Sequence, residues 1–158
     1  FDSVRHSTLL EKAAKLQMPD CAYNWLVDYF EDHAHCTRTP SSTSSFAMIN
    51  ASVIQGSALG PAAYAINASD LQPIDKTNFL FKFADDTDLV IPSSNEATKQ
   101  AELQNINQWA INNNLLLNHS KSAEIIFTKP RSKVIVPDPI LGIPRVKSIK
   151  TLGVLGCD

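Results

Sequence analysis

Asp85 and Asp86 are adjacent carboxylates that close an apolar run, Phe79 to Ala84. At a hairpin tip two such charges repel, and a divalent cation removes the repulsion. Oxygen donors of this kind suit Mg2+. A pair of ions can clamp the attacking and leaving oxygens of an in-line phosphoryl displacement. The plainer reading is a solvated acidic turn, since Asp is frequent in turns. The same stretch also spells Asp86-Thr87-Asp88-Leu89-Val90, a D-x-D-x-V pattern in which the first Asp attacks phosphate and the second serves as acid and base. That motif closes a strand of a parallel sheet, whereas the order of elements around it here reads as antiparallel.

Two further stretches carry candidate chemistry. In Gln55-Gly56-Ser57-Ala58-Leu59-Gly60-Pro61 the glycines let backbone approach a ligand closely, and the helix that follows offers its N-terminus to negative charge. A plain strand-to-helix loop is the alternative. In Leu117-Asn118-His119-Ser120-Lys121 a lysine stands just before a strand, where it could donate a proton to a leaving phosphate, or be only a loop lysine. His33, His35 and Cys36 lie close in sequence, but no second ligand pair follows at finger spacing, which favours a surface turn over zinc. His6 and His119 have no evident partner and read as structural.

Several elements must position these residues. Thr8 and Glu11 suggest a capping box opening a short helix through Leu16, and Ala22, Trp25, Leu26, Tyr29 and Phe30 predict a second helix to about Glu31. Residues 37–45, rich in Ser, Thr and Pro, read as a hairpin tip, and Val53-Ile54 as strand. Pro61 suits the first turn of a helix to about Leu71. Phe79, Phe81 and Phe83 alternate as a strand, with Asp85-Asp86-Thr87 turning and residues 88–91 returning. Their shared face is expected to lie against a helix over 95–112, entered through a Ser93–Glu96 capping box and ended by Asn112-Asn113-Asn114. Ala123, Ile125 and Phe127 predict another strand, residues 129–144 a proline-rich loop, and residues 146–154 a last strand region. This order is α+β rather than doubly wound.

At 158 residues and 44% apolar, the chain is of single-domain size with enough apolar side chain for a real core. Three widely spaced cysteines fit free thiols in a reducing compartment. No apolar run has membrane-span length, and no basic-then-apolar leader opens the chain, so an intracellular rather than secreted protein is expected. The net charge of −2 hides an asymmetry. Residues 1–120 hold seven basic and thirteen acidic side chains, residues 121–158 seven and three. An acidic part can gather cations and a basic tail phosphates, although ordinary solvated surface gives the same count.

Together these stretches resemble the reverse transcriptase family, most closely the enzymes of non-LTR, LINE-like retrotransposons. Five matches occur in the family's order over essentially the whole chain. Phe1-Asp2-Ser3-Val4-Arg5-His6 is similar to the end of the first palm motif, and residues 55–61 to the Q-G-S-x-L-G-P loop. Phe83-Ala84-Asp85-Asp86-Thr87 is similar to the F/Y-A-D-D box. Leu117-Asn118 through Lys121 resembles the L-N-x-x-K segment, and Leu152-Gly153-Val154 the strand that grips the primer end. One departure is Asn67-Ala68-Ser69-Asp70, standing where many relatives carry Tyr-Ile-Asn-Asp.

The resemblance implies a reverse-transcriptase palm with part of the fingers, truncated at both ends, residues 1–158 forming one partial domain. It implies an RNA-directed DNA polymerase acting on an RNA template, a DNA primer and deoxynucleoside triphosphates. It places catalysis on Asp85, Asp86 and Lys121, and two Mg2+ ions (Mn2+ as a substitute) on Asp85, Asp86 and a further Asp five residues before Phe1, outside the chain. It makes Phe1 the steric gate against ribonucleotides, and places Gln55, Gly56 and Ser57 around nucleotide and template. The tail from Lys129 to Lys150 would meet duplex phosphates in a salt-sensitive way. A retroelement ribonucleoprotein would work in cytoplasm and nucleus. The chain alone is expected to be inactive. The alternative is a degenerate retroelement fragment that folds and binds nucleic acid without catalysis.

Overall fold

The computed structural model describes residues 2–54, 56–128, 137–140, 142–151 and 154–157. Phe1, Gln55, Leu152, Gly153 and part of the basic tail lie outside the described residues. The coordinates form two compact units, Phe1–Leu116 and Leu117–Asp158.

The first unit is built on helices. Helix α1, His6–Ala13, starts at Arg5 with no side-chain cap, so the expected Thr8 capping box does not form and Thr8 lies inside the helix. Its entry is fixed by backbone instead. The His6 N–H donates to Asn50 O and the Ser52 N–H to Val4 O, both at 2.9 Å, stapling residues 4–6 to residues 50–52. Helix α2, Asp20–Phe30, follows Pro19 as its periodicity predicts. A short ribbon of β1, Ala34–His35, and β2, Ala47–Met48, frames the Ser/Thr-rich tip. Val53 and Ile54 are not strand; Val53 enters the core as coil. Helix α3, Gly60–Asn67, carries Pro61 in its first turn. Val4, Leu9, Leu26, Phe30, Val53, Ala63 and Tyr64 form the core between α1, α2 and α3.

The hairpin β3, Phe79–Phe83, with β4, Asp86–Val90, is antiparallel, pairing Phe79 with Val90 through to Phe83 with Asp86. The turn is therefore Ala84-Asp85, one residue earlier than expected, and Asp86 already belongs to the ladder. Antiparallel pairing also removes the D-x-D-x-V phosphatase reading, which needs the end of a parallel strand. The expected burial of the phenylalanine face is corrected too. Phe79, Phe81 and Phe83 are 53%, 59% and 64% exposed, while Leu80 and Lys82 face inward. Alternation decides which side chains share a face; the polar seat of Lys82, described below, decides which face meets the chain.

Ser93–Thr98 is a 3-10 turn without the expected cap bond, and α4 proper runs Lys99–Asn112. It ends in a Schellman motif: the Asn114 N–H reaches Ile111 O at 3.1 Å, and the Leu115 N–H reaches Ala110 O at 2.8 Å. Asn114 supplies the positive φ of 58° that this ending requires. The three-asparagine stop read from the sequence is thus a specific C-terminal device.

In the second unit the strand expected over residues 123–127 reduces to one parallel bridge, Glu124 with Arg145. The pair is reinforced by a 2.8 Å bond from Arg145 Nε to Glu124 Oε2. The last strand region is a hairpin, β5, Ser148–Thr151, with β6, Val154–Cys157. The α+β class holds, with three small antiparallel sheets among the described residues.

Candidate functional site

Asp85 and Asp86 are exposed at the hairpin tip, and among the described residues no hydrogen bond or ion pair occupies either carboxylate. The turn that presents them is strained. Ala84 has φ 50°, in the left-handed region that costs an ordinary L-residue about 1–2 kcal/mol. Such strain is typical where a backbone must place a side chain for function. Two exposed, unengaged carboxylate groups suit a hard cation that takes one or two carboxylates and completes its shell with substrate phosphates. Among the described residues no group of three or more His, Cys, Asp or Glu side chains stands ready to hold a metal ion.

Helix α3 carries the other part of the site. At its start, Gly56 has φ 80°, a conformation natural only to glycine, with open space where a Cβ would stand. The Ser57 hydroxyl donates to Ile54 O at 2.7 Å and accepts the Gly60 N–H at 3.0 Å. With Pro61 lacking an N–H, the start of α3 thus spends donors inside its own loop. One turn on, Tyr64 is buried; burial first, and then the negative charge of Asp85, push its phenol above the usual range. Nothing in the sequence pattern singled out Tyr64, because an apolar helix face hides an aromatic placed beside a distant acid.

The hairpin and the segment leading into it are tied by polar groups that the sequence reading also missed. The Lys82 ammonium donates to Ala68 O at 2.7 Å and Leu71 O at 2.9 Å, just past the C-terminus of α3. Lys12 reaches Asn67 O at 2.5 Å and Asp70 Oδ1 at 2.7 Å, with its ammonium 5.0 Å from the Trp109 ring centre. Trp109 Nε1 donates to the same Asp70 oxygen. The variant segment Asn67-Ala68-Ser69-Asp70 is therefore a joint where α1, α3, α4 and the hairpin meet. Glu102, fully buried on α4, accepts the N–H groups of Ile74 and Asp75 at 2.9 and 2.8 Å and the Asn78 amide at 2.8 Å. It latches the segment that leads into β3.

The remaining candidates are placed as follows. Lys121 is an exposed residue of the second unit, its N–H in a turn on Asn118 O. His6 donates from Nε2 to Ser52 O at 2.8 Å and stacks on Phe30, which is the structural role expected of it. His33 packs on His6, Tyr29 and Phe30. Phe1 and Gln55 are among the residues not described.

Residues 1–155 match the family described as reverse transcriptase (RNA-dependent DNA polymerase). The chain is 33% identical over 138 residues to the RNA-directed DNA polymerase from mobile element jockey of Drosophila melanogaster, covering 80% of this chain and 15% of that protein. It is 30% identical to the probable RNA-directed DNA polymerase from transposon X-element of the same fly, covering 98% of this chain and 18% of that one. The corresponding protein of transposon BS is 32% identical over 90% of the chain and 17% of its own length. The chain thus spans less than a fifth of these relatives. No solved structure matches it significantly. No helix among the described residues is long and apolar enough to cross a membrane. A family match over nearly every residue, with the acidic tip and the glycine loop in the expected order, places this chain in the reverse transcriptase (RNA-dependent DNA polymerase) family.

Proposed function

We propose that this chain forms part of the palm of an RNA-directed DNA polymerase, with Asp85 and Asp86 as its metal-binding carboxylates. The observation that carries the proposal is the contrast within the hairpin: Lys82 and the Glu102 latch hold it below its turn, and no hydrogen bond or ion pair among the described residues engages the two carboxylates at its tip. Divalent Mg2+, held there with a further carboxylate from outside this chain, would neutralise charge on the transferring phosphoryl group. The primer 3′-oxygen bonds to the α-phosphorus, the bond to pyrophosphate breaks, and the hydroxyl proton leaves to solvent or a base. Residues 55–57 and Phe1 line the nucleotide and template side in this reading. Lys121 donates a proton to the departing pyrophosphate. The substrates are an RNA template, a DNA primer and deoxynucleoside triphosphates, and the setting is a retroelement ribonucleoprotein inside the cell.

The test uses the longer polymerase that carries this chain, supplied with primed RNA and labelled deoxynucleotide. Incorporation should require Mg2+ or Mn2+ and stop on chelation. Single-turnover rates then separate two roles for Lys121. As a proton donor, Lys121→Ala lowers the saturating rate by about 10²–10⁴-fold. A wild-type rate at saturating nucleotide rejects that role and leaves a lysine that only touches phosphate. Absence of incorporation by a folded polymerase with Asp85 and Asp86 intact would favour the non-catalytic reading.

A further inference from the structure

The β3–β4 hairpin pairs with no third strand among the described residues. A lone two-strand hairpin is marginal in water, and its direction must come from side chains. On the inward face those are Leu80, Lys82 and Leu89, since Phe79, Phe81 and Phe83 are exposed. Lys82 lies three residues before Asp85. Its ammonium sits on two carbonyls, Ala68 O at the C-cap of the helix whose start is the glycine loop, and Leu71 O in the segment just after it. Carbonyls at a helix C-terminus lack intrahelical partners and carry the negative end of the dipole, so a cation is well received there.

We propose that Lys82 is a positioning residue of the polymerase site, its ammonium seated on Ala68 O and Leu71 O so that the tip bearing Asp85 and Asp86 is held in fixed register with α3 and the loop before it. This rests on the reading of Asp85 and Asp86 as metal carboxylates. α3 then acts as a spacer of eight residues, about 12 Å at 1.5 Å per residue, with the nucleotide loop at one end and the hairpin clamp at the other. A second cation marks the same helix end. Lys12 brings a second ammonium to the same helix end, on Asn67 O, and Asp70 balances the pair. Burial, the largest influence, pushes the Lys82 ammonium below its usual range; Asp70 opposes that and Lys12 adds to it.

The experiment compares Lys82→Met, which keeps the stem and removes the charge, with Lys82→Arg and Asp85→Asn in the longer polymerase. The readouts are melting temperature, the single-turnover rate at saturating nucleotide, and the Mg2+ concentration giving half that rate. Coulomb attraction alone would make Lys82→Met bind cations more tightly, because a nearby positive charge is gone. Positioning predicts the reverse: a rate lower by about 10–100-fold and a higher half-saturating Mg2+ concentration. Lys82→Arg should recover most of both. A Lys82→Met polymerase with wild-type rate and Mg2+ dependence, or with tighter Mg2+ dependence at unchanged rate, overturns the proposal. If Lys82→Met does not fold, Lys82→Gln, which keeps a polar head without the charge, takes its place, and a folded Lys82→Gln polymerase with wild-type rate and Mg2+ dependence overturns the proposal. Asp85→Asn reports on the underlying reading separately. If it retains incorporation, the metal assignment fails whatever Lys82 does.

Discussion

Asp70 and Glu102 at the foot of the β3–β4 hairpin and Asp85 and Asp86 at its tip show two uses of the same functional group. Glu102 is fully buried and accepts three hydrogen bonds, and Asp70 accepts from Lys12 and Trp109. The tip carboxylates are exposed, and neither takes part in a hydrogen bond or ion pair among the described residues. A buried charge persists only where partners satisfy it, so Glu102 is structural by necessity, while Asp70, half exposed, is held by its two donors. An exposed adjacent pair is under no such demand and is left free for a cation. Partnership, rather than proximity to the motif, separates the two roles.

The comparison is easiest to break with Asp85→Asn. It should lower incorporation by about 10³-fold or more, the equivalent of several kcal/mol of lost charge stabilisation, while the melting temperature stays within a few degrees. A large fall in stability would show that the tip carboxylate is structural after all. Glu102→Ala should do the opposite. Three donors lose their acceptor, at about 1–3 kcal/mol for each buried group left unpaired, so a loss of about 3 kcal/mol or more is expected in urea denaturation.

Acid should weaken the foot of the hairpin. Hydrogen bonds from Asp75, Asn78 and Ile74 hold Glu102 below its usual range against the opposing effect of burial, and Lys12 and Trp109 do the same for Asp70. Because both values are lower folded than unfolded, their stabilisation is complete above the ordinary carboxylate range. It is lost as pH falls through the folded values. Melting temperature followed from pH 7 to pH 3 should show this acid limb, and Glu102→Gln should flatten it. The smallest effect belongs to the turn. Ala84→Gly relieves the φ of 50°, and after the extra freedom of glycine in the unfolded chain it should raise stability by roughly 0.5 kcal/mol. A loss of stability there would mean that Ala84 packs on something the strain argument omits.

Local pattern carried much of the molecule. The alternation at 79–83, the helical spacing at 22–30 and the triple asparagine after α4 each place an element, because side-chain period and capping depend on neighbours a few residues away. Local cap signals failed at Thr8 and Ser93, where backbone ties from Asn50 and a 3-10 entry took their place. Residues 123–127 show the same limit. Their alternation fits a strand, but a strand needs a partner along its length, and only Glu124 finds one.

By itself the sequence determined the family, the acidic tip and the glycine loop, since each is a short run of residues whose chemistry is set by covalent order. Only tertiary structure decided which face of the hairpin turns inward, and that Lys82, Lys12, Asp70 and Glu102 form its footing. Those partners are separated in sequence by 11 to 58 residues. Their bonds depend on where helices come to rest against one another, which no local spacing records. The same holds for the influence of the Asp85 charge on Tyr64, which lies some twenty residues earlier in the chain.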